Sequence, residues 1–445
     1  MKFFTGYLLK KTKEMKQSLS IFLLCATMFF AGNVLFHTMP LEAQAPASVE
    51  AKQTSRQTSD FIYREFEEFI KVVKSLQEKY VEELDINTIF TNAYRGMLSE
   101  LDPFSQYISP EELEELRIET EGEFEGLGIE VIVRNGILTV ITPILDSPAF
   151  KAGILVGDRI VKVDGISTKE ISIREAIKML RGKPGTTTTL TVLHEGETTP
   201  VDITIQRAKI HVNSIRGAKI VDEDHKIGYL ALINFQENTV EDMDKAVKEL
   251  LKQGMEGLIL DLRFNPGGLL SSAVSVSDRF LKKGVIVSTR GRDADQNVLY
   301  RAHRRDTYAA FPLVVLVNNG SASASEIVAG AIKDNKRGLL VGVKTFGKGS
   351  VQSLIPVRDG KAALKLTTAK YYTPTGECIH EKGIEPDMEV PLDFSQMKDL
   401  HIQLSTVKTS KPTEGPEKES SSYSDLQLEK AIEAIKGMEK GNKQK

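Results

Sequence analysis

The chain has 445 residues, 41% of them hydrophobic and 27% charged, a globular composition that excludes a disordered chain and leaves room for two or three cores. A formal charge of -3 with no long basic stripe gives nucleic acid nothing to bind, so it is not an expected partner. Cys25 and Cys378 are too few for a disulfide framework and lack zinc spacing, so no metal or other cofactor is expected and packing must hold the fold.

Residues 1–47 form a leader. Lys2, Lys10, Lys11, Lys13 and Lys16 precede an uncharged run from Leu19 to Phe36, and the small-residue stretch "LEAQAPAS" follows. This pattern predicts either a signal peptide cut after Ala45 or Ala47, or an uncleaved membrane anchor. In both cases the chain is exported, to the periplasm or the extracytoplasmic face of a membrane.

Residues 55–118 read as helices. Phe61, Ile62, Phe66, Phe69, Ile70, Val73 and Leu76 fall on one face at the 3.6-residue period, and "INTIFTNAYRGML" is a second helix expected to pair with it. "SPEELEELR" opens on Ser109 and Pro110, a good helix start. The region is expected to pack or to join subunits, without chemistry of its own.

Residues 119–209 change to short strands, "IEVIV", "GILTVIT", "DRIVKVDG" and "TLTVLHEG", broken by the amphipathic helix "IREAIKML". With "GLGI" (Gly126, Leu127, Gly128, Ile129), "SPAFKAGILVGDRIVKVDG" and "LRGKPG" in order, this unit resembles a PDZ domain. The glycines let successive N–H groups turn toward a terminal carboxylate, and the strand after them can accept a peptide as an added strand. Ala176, Ile177 and Leu180 would wall a pocket for an apolar last side chain. Arg181, just beyond that helix, could pair with the catalytic core once a tail is bound.

Residues 210–395 alternate continuous apolar strands with helices, which predicts a parallel sheet covered on both faces, with ligands beyond the carboxyl ends of its strands. Two loops lie there, "RFNPGGLL" and "NNGSASASE". Gly267 and Gly268 allow close backbone approach. Ser323 stands before the helix "ASEIVAGAIK", where the N–H of Ala324 points at whatever lies above it, an arrangement suited to an oxyanion.

A serine nucleophile needs a base. His194, His211, His225, His303, His380 and His401 have no context that singles one out, and the serine motif is not G-x-S-x-G. "TFGKGSVQ" offers Lys348 between two glycines, with Gln352 four residues on. To act as a base, a lysine with a pKa of about 10.4 in water must be lowered by roughly three units, at a cost of about 4 kcal/mol. "GVKTFGKG" also matches a phosphate loop, but Gly349 displaces the metal-holding Ser or Thr, and the residues that follow read as a strand rather than the helix such a loop opens.

Taken together, "GSASASE", "FGKGSVQ", "LDLRFNPGG", "LDPFSQYISPEE" and "YYTPTGECIHEKGIEPD" closely resemble the C-terminal processing, or tail-specific, serine protease family from about Phe61 to Pro391. The resemblance implies a multidomain α/β chain whose crotonase-like or Clp-protease-like catalytic core carries an inserted PDZ domain. It implies Ser323 as nucleophile, Lys348 as general base and Gln352 as the residue orienting the lysine. It also implies an oxyanion hole from Ala324 with Gly267 or Gly268, the choice between the glycines staying open. Substrates would be proteins or peptides with free apolar C-termini. An envelope scaffold with a dead protease domain and a crotonase-like acyl hydrolase are the alternatives. Residues 396–445 depart from the pattern: a Ser/Thr/Pro/Glu/Lys-rich linker precedes a helix with Leu426, Leu428, Ala431, Ile432 and Ile435 apolar. Terminal helices join subunits in such relatives, so a homodimer is expected.

Overall fold

A computed structural model describes residues 47–405 and 424–442. The expected leader and most of the expected linker lie outside the described residues; among the described residues no helix is long and apolar enough to cross a membrane. The described residues fall into two compact units, one ending at residue 86 and the other beginning at residue 87.

The first unit is built on one long helix, Ala47–Lys79. Its apolar stripe is only partly covered: Val73 is buried, whereas Phe61, Ile62, Phe66, Ile70 and Leu76 are exposed. The 3.6-residue period correctly identifies the helix, but periodicity does not say what covers its face.

The second unit opens with the rest of the helix Ile86–Ser99 and a helix Pro110–Glu121 that begins as expected: Ser109 and Glu112 form a reciprocal capping box with Pro110 in the first turn. The β-rich module then forms an antiparallel sheet in the order Ile129–Arg134, Ile137–Pro143, Arg159–Val163, Thr187–Leu193, Val201–Gln206. Its own core gathers Leu138, Val140, Ile160, Leu190 and Val192 with Ala176 and Leu180 of the helix Ile173–Leu180. Chain enters and leaves this module on a two-stranded antiparallel ribbon, Glu123–Gly126 against Ala208–His211.

Beyond the ribbon a six-stranded sheet runs in the order Ile215–Asp222, Ile227–Leu232, Gly257–Asp261, Leu313–Val317, Leu339–Gly342, Met388–Glu389. All its pairs are parallel except the first. Helices Thr239–Lys252, Leu270–Phe280 and Ala324–Asp334 supply the crossovers and fill one face, through Met243, Val247, Phe280 and Val328. The opposite face is covered by the last helix, Leu426–Asn442, whose Ala431 and Ile435 pack on Ile259, Val314, Leu316 and Val341. A Cβ on Gly257 would lie 2.7 Å from Ile435, so the glycine lets helix and strand approach.

A second, antiparallel sheet combines Gln106–Ile108, Ala362–Tyr372, Val285–Gly291 and Leu299–Arg301, with Ser350–Val357 also paired to Ala362–Tyr372. Thus a strand follows Lys348 and Gly349, and the phosphate-loop reading fails on geometry as well as on sequence.

Candidate active site

Two loops at the carboxyl ends of neighbouring parallel strands are stitched together by buried side chains. Ser321 donates to the Leu262 carbonyl at 2.8 Å and Ser325 to that of Asn265 at 2.9 Å, so these two serines are occupied as fasteners. The Ala322 N–H donates to the same Asn265 carbonyl at 3.0 Å. Ser323 is different. It sits at φ 55°, ψ -112°, a region a non-glycine residue rarely adopts, at the turn that starts the helix Ala324–Asp334. Its side chain faces the Tyr371 phenol; burial pushes that phenol up to about 12, and a hydrogen bond with the Ser323 side chain offsets part of the effect.

Gly267 lies directly against the serine. A Cβ there would be 2.8 Å from Ser323 Cβ and 2.9 Å from the Ala324 nitrogen, and its φ of 103° also favours glycine. Its N–H is committed to Asn265 Oδ1 at 2.9 Å. Gly268 bridges Phe235, where a Cβ would lie 2.1 Å from the Phe235 carbonyl. Among the described residues the N–H groups of Gly268 and Ala324 have no such partner.

Glu326 joins nucleophile loop and base loop. Its fully buried carboxylate accepts from the Ser323 N–H at 2.9 Å and the Lys348 N–H at 2.8 Å on one oxygen, and from the Gly347 N–H at 2.7 Å and the Thr345 hydroxyl at 2.5 Å on the other. Burial pushes its pKa up, and the four donors pull against that shift. Lys348 itself is half-buried. Burial lowers its pKa, nearby Lys365 lowers it further, and Glu326 works the other way. Its Nζ lies 4.7 Å from the centre of the Phe104 ring.

The Gln352 amide donates to Ser350 Oγ at 2.9 Å and Thr367 Oγ1 at 3.3 Å, not to Lys348. Thr367 Oγ1 in turn donates to Asp102 at 3.1 Å. Hydrogen bonds from Ser105, Phe104 and Thr367 hold the Asp102 carboxyl below the usual carboxylate range against the opposing effect of burial. Of the histidines, His380 is brought against the base loop: a Cβ on Gly349 would be 2.3 Å from the His380 nitrogen.

In the β-rich module Leu127, Ala176 and Leu180 are buried and Ile177 is half-buried. A Cβ on Gly128 would be 2.3 Å from that of Ser147, whose hydroxyl donates to the Gly128 carbonyl at 3.1 Å, and Gly126 packs on the Leu180 carbonyl. Ile129 begins the outermost strand, whose far edge is unpaired. Arg181 caps the helix Ile173–Leu180 through its backbone, but its guanidinium makes no hydrogen bond or ion pair among the described residues. Arg207, which the sequence did not single out, donates to the carbonyls of Met179 at 2.9 Å and Leu180 at 3.2 Å, neutralising that helix end.

The model of peptidase family S41 matches residues 226–390, and the carboxy-terminal-processing protease of Bartonella bacilliformis is 42% identical over 362 residues, 80% of this chain and 82% of its own length. The chain belongs to peptidase family S41. This S41 chain also matches a PDZ domain model at residues 126–205 and the N-terminal domain of the activating protease CtpB at residues 22–112. Carboxy-terminal processing protease CtpB of Bacillus subtilis is 33% identical to the S41 chain over 387 residues, 84% of it and 78% of that relative. Among solved structures, the photosystem II D1 C-terminal processing protease is 34% identical, covers 72% of this chain and 86% of its own, and superposes with a TM-score of 0.42. The S41 chain is therefore a multidomain α/β peptidase that carries a PDZ domain.

Proposed function

We propose that this S41 peptidase is an exported Ser-Lys endopeptidase that selects protein substrates by their free, apolar C-terminal tails. The observation that carries the reading is the shared Glu326 carboxylate, which ties the backbone of Ser323 to that of Lys348. In this mechanism Ser323 Oγ attacks the scissile carbonyl carbon while its proton passes to neutral Lys348 Nζ. The oxyanion is received by the N–H groups of Ala324 and Gly268; Gly267 is the weaker candidate because its N–H is already engaged. Collapse of the tetrahedral species expels the amine, which takes the proton from Lys348, and water then hydrolyses the acyl-enzyme by the same exchange. Gln352 orients this base loop through the strand it shares with Ser350.

Tail selection is assigned to Gly126–Ile129 as the carboxylate nest and to Ala176, Ile177 and Leu180 as the pocket wall. Its support is the unpaired edge of Ile129–Arg134. Arg181 is proposed to answer tail binding, since its guanidinium is uncommitted among the described residues. The domain division drawn from the sequence, the leader that exports the chain, a homodimer and a crotonase-like or Clp-protease-like fold of the catalytic core belong to the same proposal.

The test is digestion of an unfolded reporter ending in a free apolar residue, beside the same reporter amidated or ending in Asp. The free apolar tail should be degraded fastest, and Ser323→Ala and Lys348→Arg should both be inactive, because arginine keeps the charge but cannot surrender a proton. Since burial depresses the Lys348 pKa, the rate should climb with pH through an apparent pKa below 10.5, and His380→Ala should leave that limb in place. A Lys348→Arg enzyme that turns over, or a His380 variant that alone is dead, overturns the base assignment; equal rates on free and amidated tails overturn tail selection.

A further inference from the structure

From the contacts of Lys348 we infer that the turn Leu101–Ser105, carried by the N-terminal helical region, forms a wall of the catalytic site, with Phe104 positioning the amine of Lys348 and Asp102 positioning Gln352. The inference rests on Lys348 being the base.

A lysine amine on a four-carbon stem needs something to fix it. Among the described residues Lys348 Nζ makes no hydrogen bond and has no carboxylate within ion-pair reach; the side chain recorded against it is the Phe104 ring, 4.7 Å from Nζ to ring centre. An aromatic face suits a group that must alternate between ammonium and amine. It attracts the cation through its quadrupole, yet offers no acceptor that would trap the proton.

The turn behind that ring is rigid. One Asp102 oxygen accepts from the N–H groups of Phe104 at 2.8 Å and Ser105 at 2.9 Å, and the other accepts from the Ser105 hydroxyl at 2.6 Å. The same turn is fastened to the catalytic sheet. The Thr367 N–H donates to Ser105 Oγ at 3.0 Å, Thr367 Oγ1 donates to Asp102 at 3.1 Å, and Gln106 pairs with Lys365 in the next strand register. Thr367 also takes the hydrogen bond from Gln352 at 3.3 Å, so one strand relays the turn to the glutamine. The charged groups around the amine are Glu326 at the start of the serine's helix and Lys365 on the strand Ala362–Tyr372, while Asp102 lies in the turn itself.

The test replaces Phe104 in the full chain in two ways and follows the pH dependence of kcat/KM. Pentafluorophenylalanine at this position keeps the ring's shape but removes its negative face, and Phe104→Leu keeps an apolar cover without a ring. Both should move the ascending limb to lower pH, by about half a unit or more, because the ammonium loses a stabilising partner. Asp102→Asn should lower kcat roughly threefold or more at unchanged KM, since the relay to Gln352 loosens while the tail site is untouched. A fluorinated enzyme whose limb coincides with wild type shows packing without positioning and overturns the role of Phe104, whatever the leucine variant does; an unchanged kcat in Asp102→Asn overturns the relay. A Lys348→Ala enzyme run alongside separates the two levels: if it is dead while the fluorinated limb stays put, the base assignment stands and this inference alone falls.

Discussion

Glu326 is the residue on which the most geometry depends. Its two oxygens accept four hydrogen bonds, and a glutamine of the same shape would turn its amide hydrogens toward two of those donors. Glu326→Gln should therefore lower stability by about 2–3 kcal/mol and kcat by roughly tenfold or more, with KM for tailed substrates unmoved; thermal melting and steady-state kinetics on one preparation check both. The carboxylate's raised pKa also sets a sign. The unfolded chain loses this proton first as pH rises from 4.5, so stability should fall across the window between 4.5 and the folded pKa and level off above it. Glu326→Gln should abolish that contribution. Ser323 and Lys348 were legible in the sequence as the proposed nucleophile and base, because small residues around a strand end leave few chemical choices. Glu326 was passed over, although Ser-x-x-Glu from 323 to 326 already spells a capping box, and the structure does pair the Glu326 carboxylate with the Ser323 N–H. Phe104 and Asp102 stand in the stretch "LDPFSQYISPEE", which marked the resemblance, but nothing in that stretch gave them a place at the site, since the hydrogen bond from Thr367 to Asp102 spans 265 positions of sequence.

Among the elements, the C-terminal helix differs most from its expectation as a linker-borne subunit contact. It covers one face of the central sheet, and its first turn holds the residue that opens the glycine loop. The Arg263 side chain is fully buried, sharing its guanidinium between Asp261 at 2.7 Å and Asp425 at 2.8 Å, with Gln427 accepting at 3.1 Å. Tyr229 donates to the same Asp261 at 2.8 Å. Asp425→Ala would leave a buried cation with half its counter-charge, so a loss of about 2–4 kcal/mol is expected, visible as a melting temperature lower by roughly 5–10 °C. Hydrogen exchange should speed up first in Gly257–Asp261 and Leu313–Val317, the strands the helix covers. A chain that melts like wild type would show that the helix docks by its apolar face alone. The helix was legible from the spacing of Leu428, Ala431, Ile432 and Ile435, but its seat was not. An amphipathic stripe marks a face to be buried without stating against what, and the exposed Phe61, Ile62, Phe66, Ile70 and Leu76 show the opposite outcome of the same pattern.

At the scale of the whole molecule, peptidase core and PDZ module keep separate hydrophobic cores. The alternation of continuous apolar strands with helices made the parallel sheet readable, and the change to short strands made the module readable. The antiparallel edge strand Ile215–Asp222 and the second sheet were less so, because their half-exposed strands carry weaker patterns. Replacing residues 127–207 by an Asn-Gly turn should leave a core that melts cooperatively and still hydrolyses a short unstructured peptide, while the preference for free over amidated tails disappears; a core that fails to fold would show that the module is a structural part of it.

The ribbon that carries the module has Gly126 opposite Ala208, so the two points where chain leaves and returns stand about 5 Å apart. That is the span of a hairpin turn. A gene could gain, lose or exchange whatever lies between those points without moving any strand of the core. The peptidase thus holds its PDZ module as a plug holds a cable, and a lineage could exchange that module by recombination at one seam while the loops that carry Ser323 and Lys348 stay as they are.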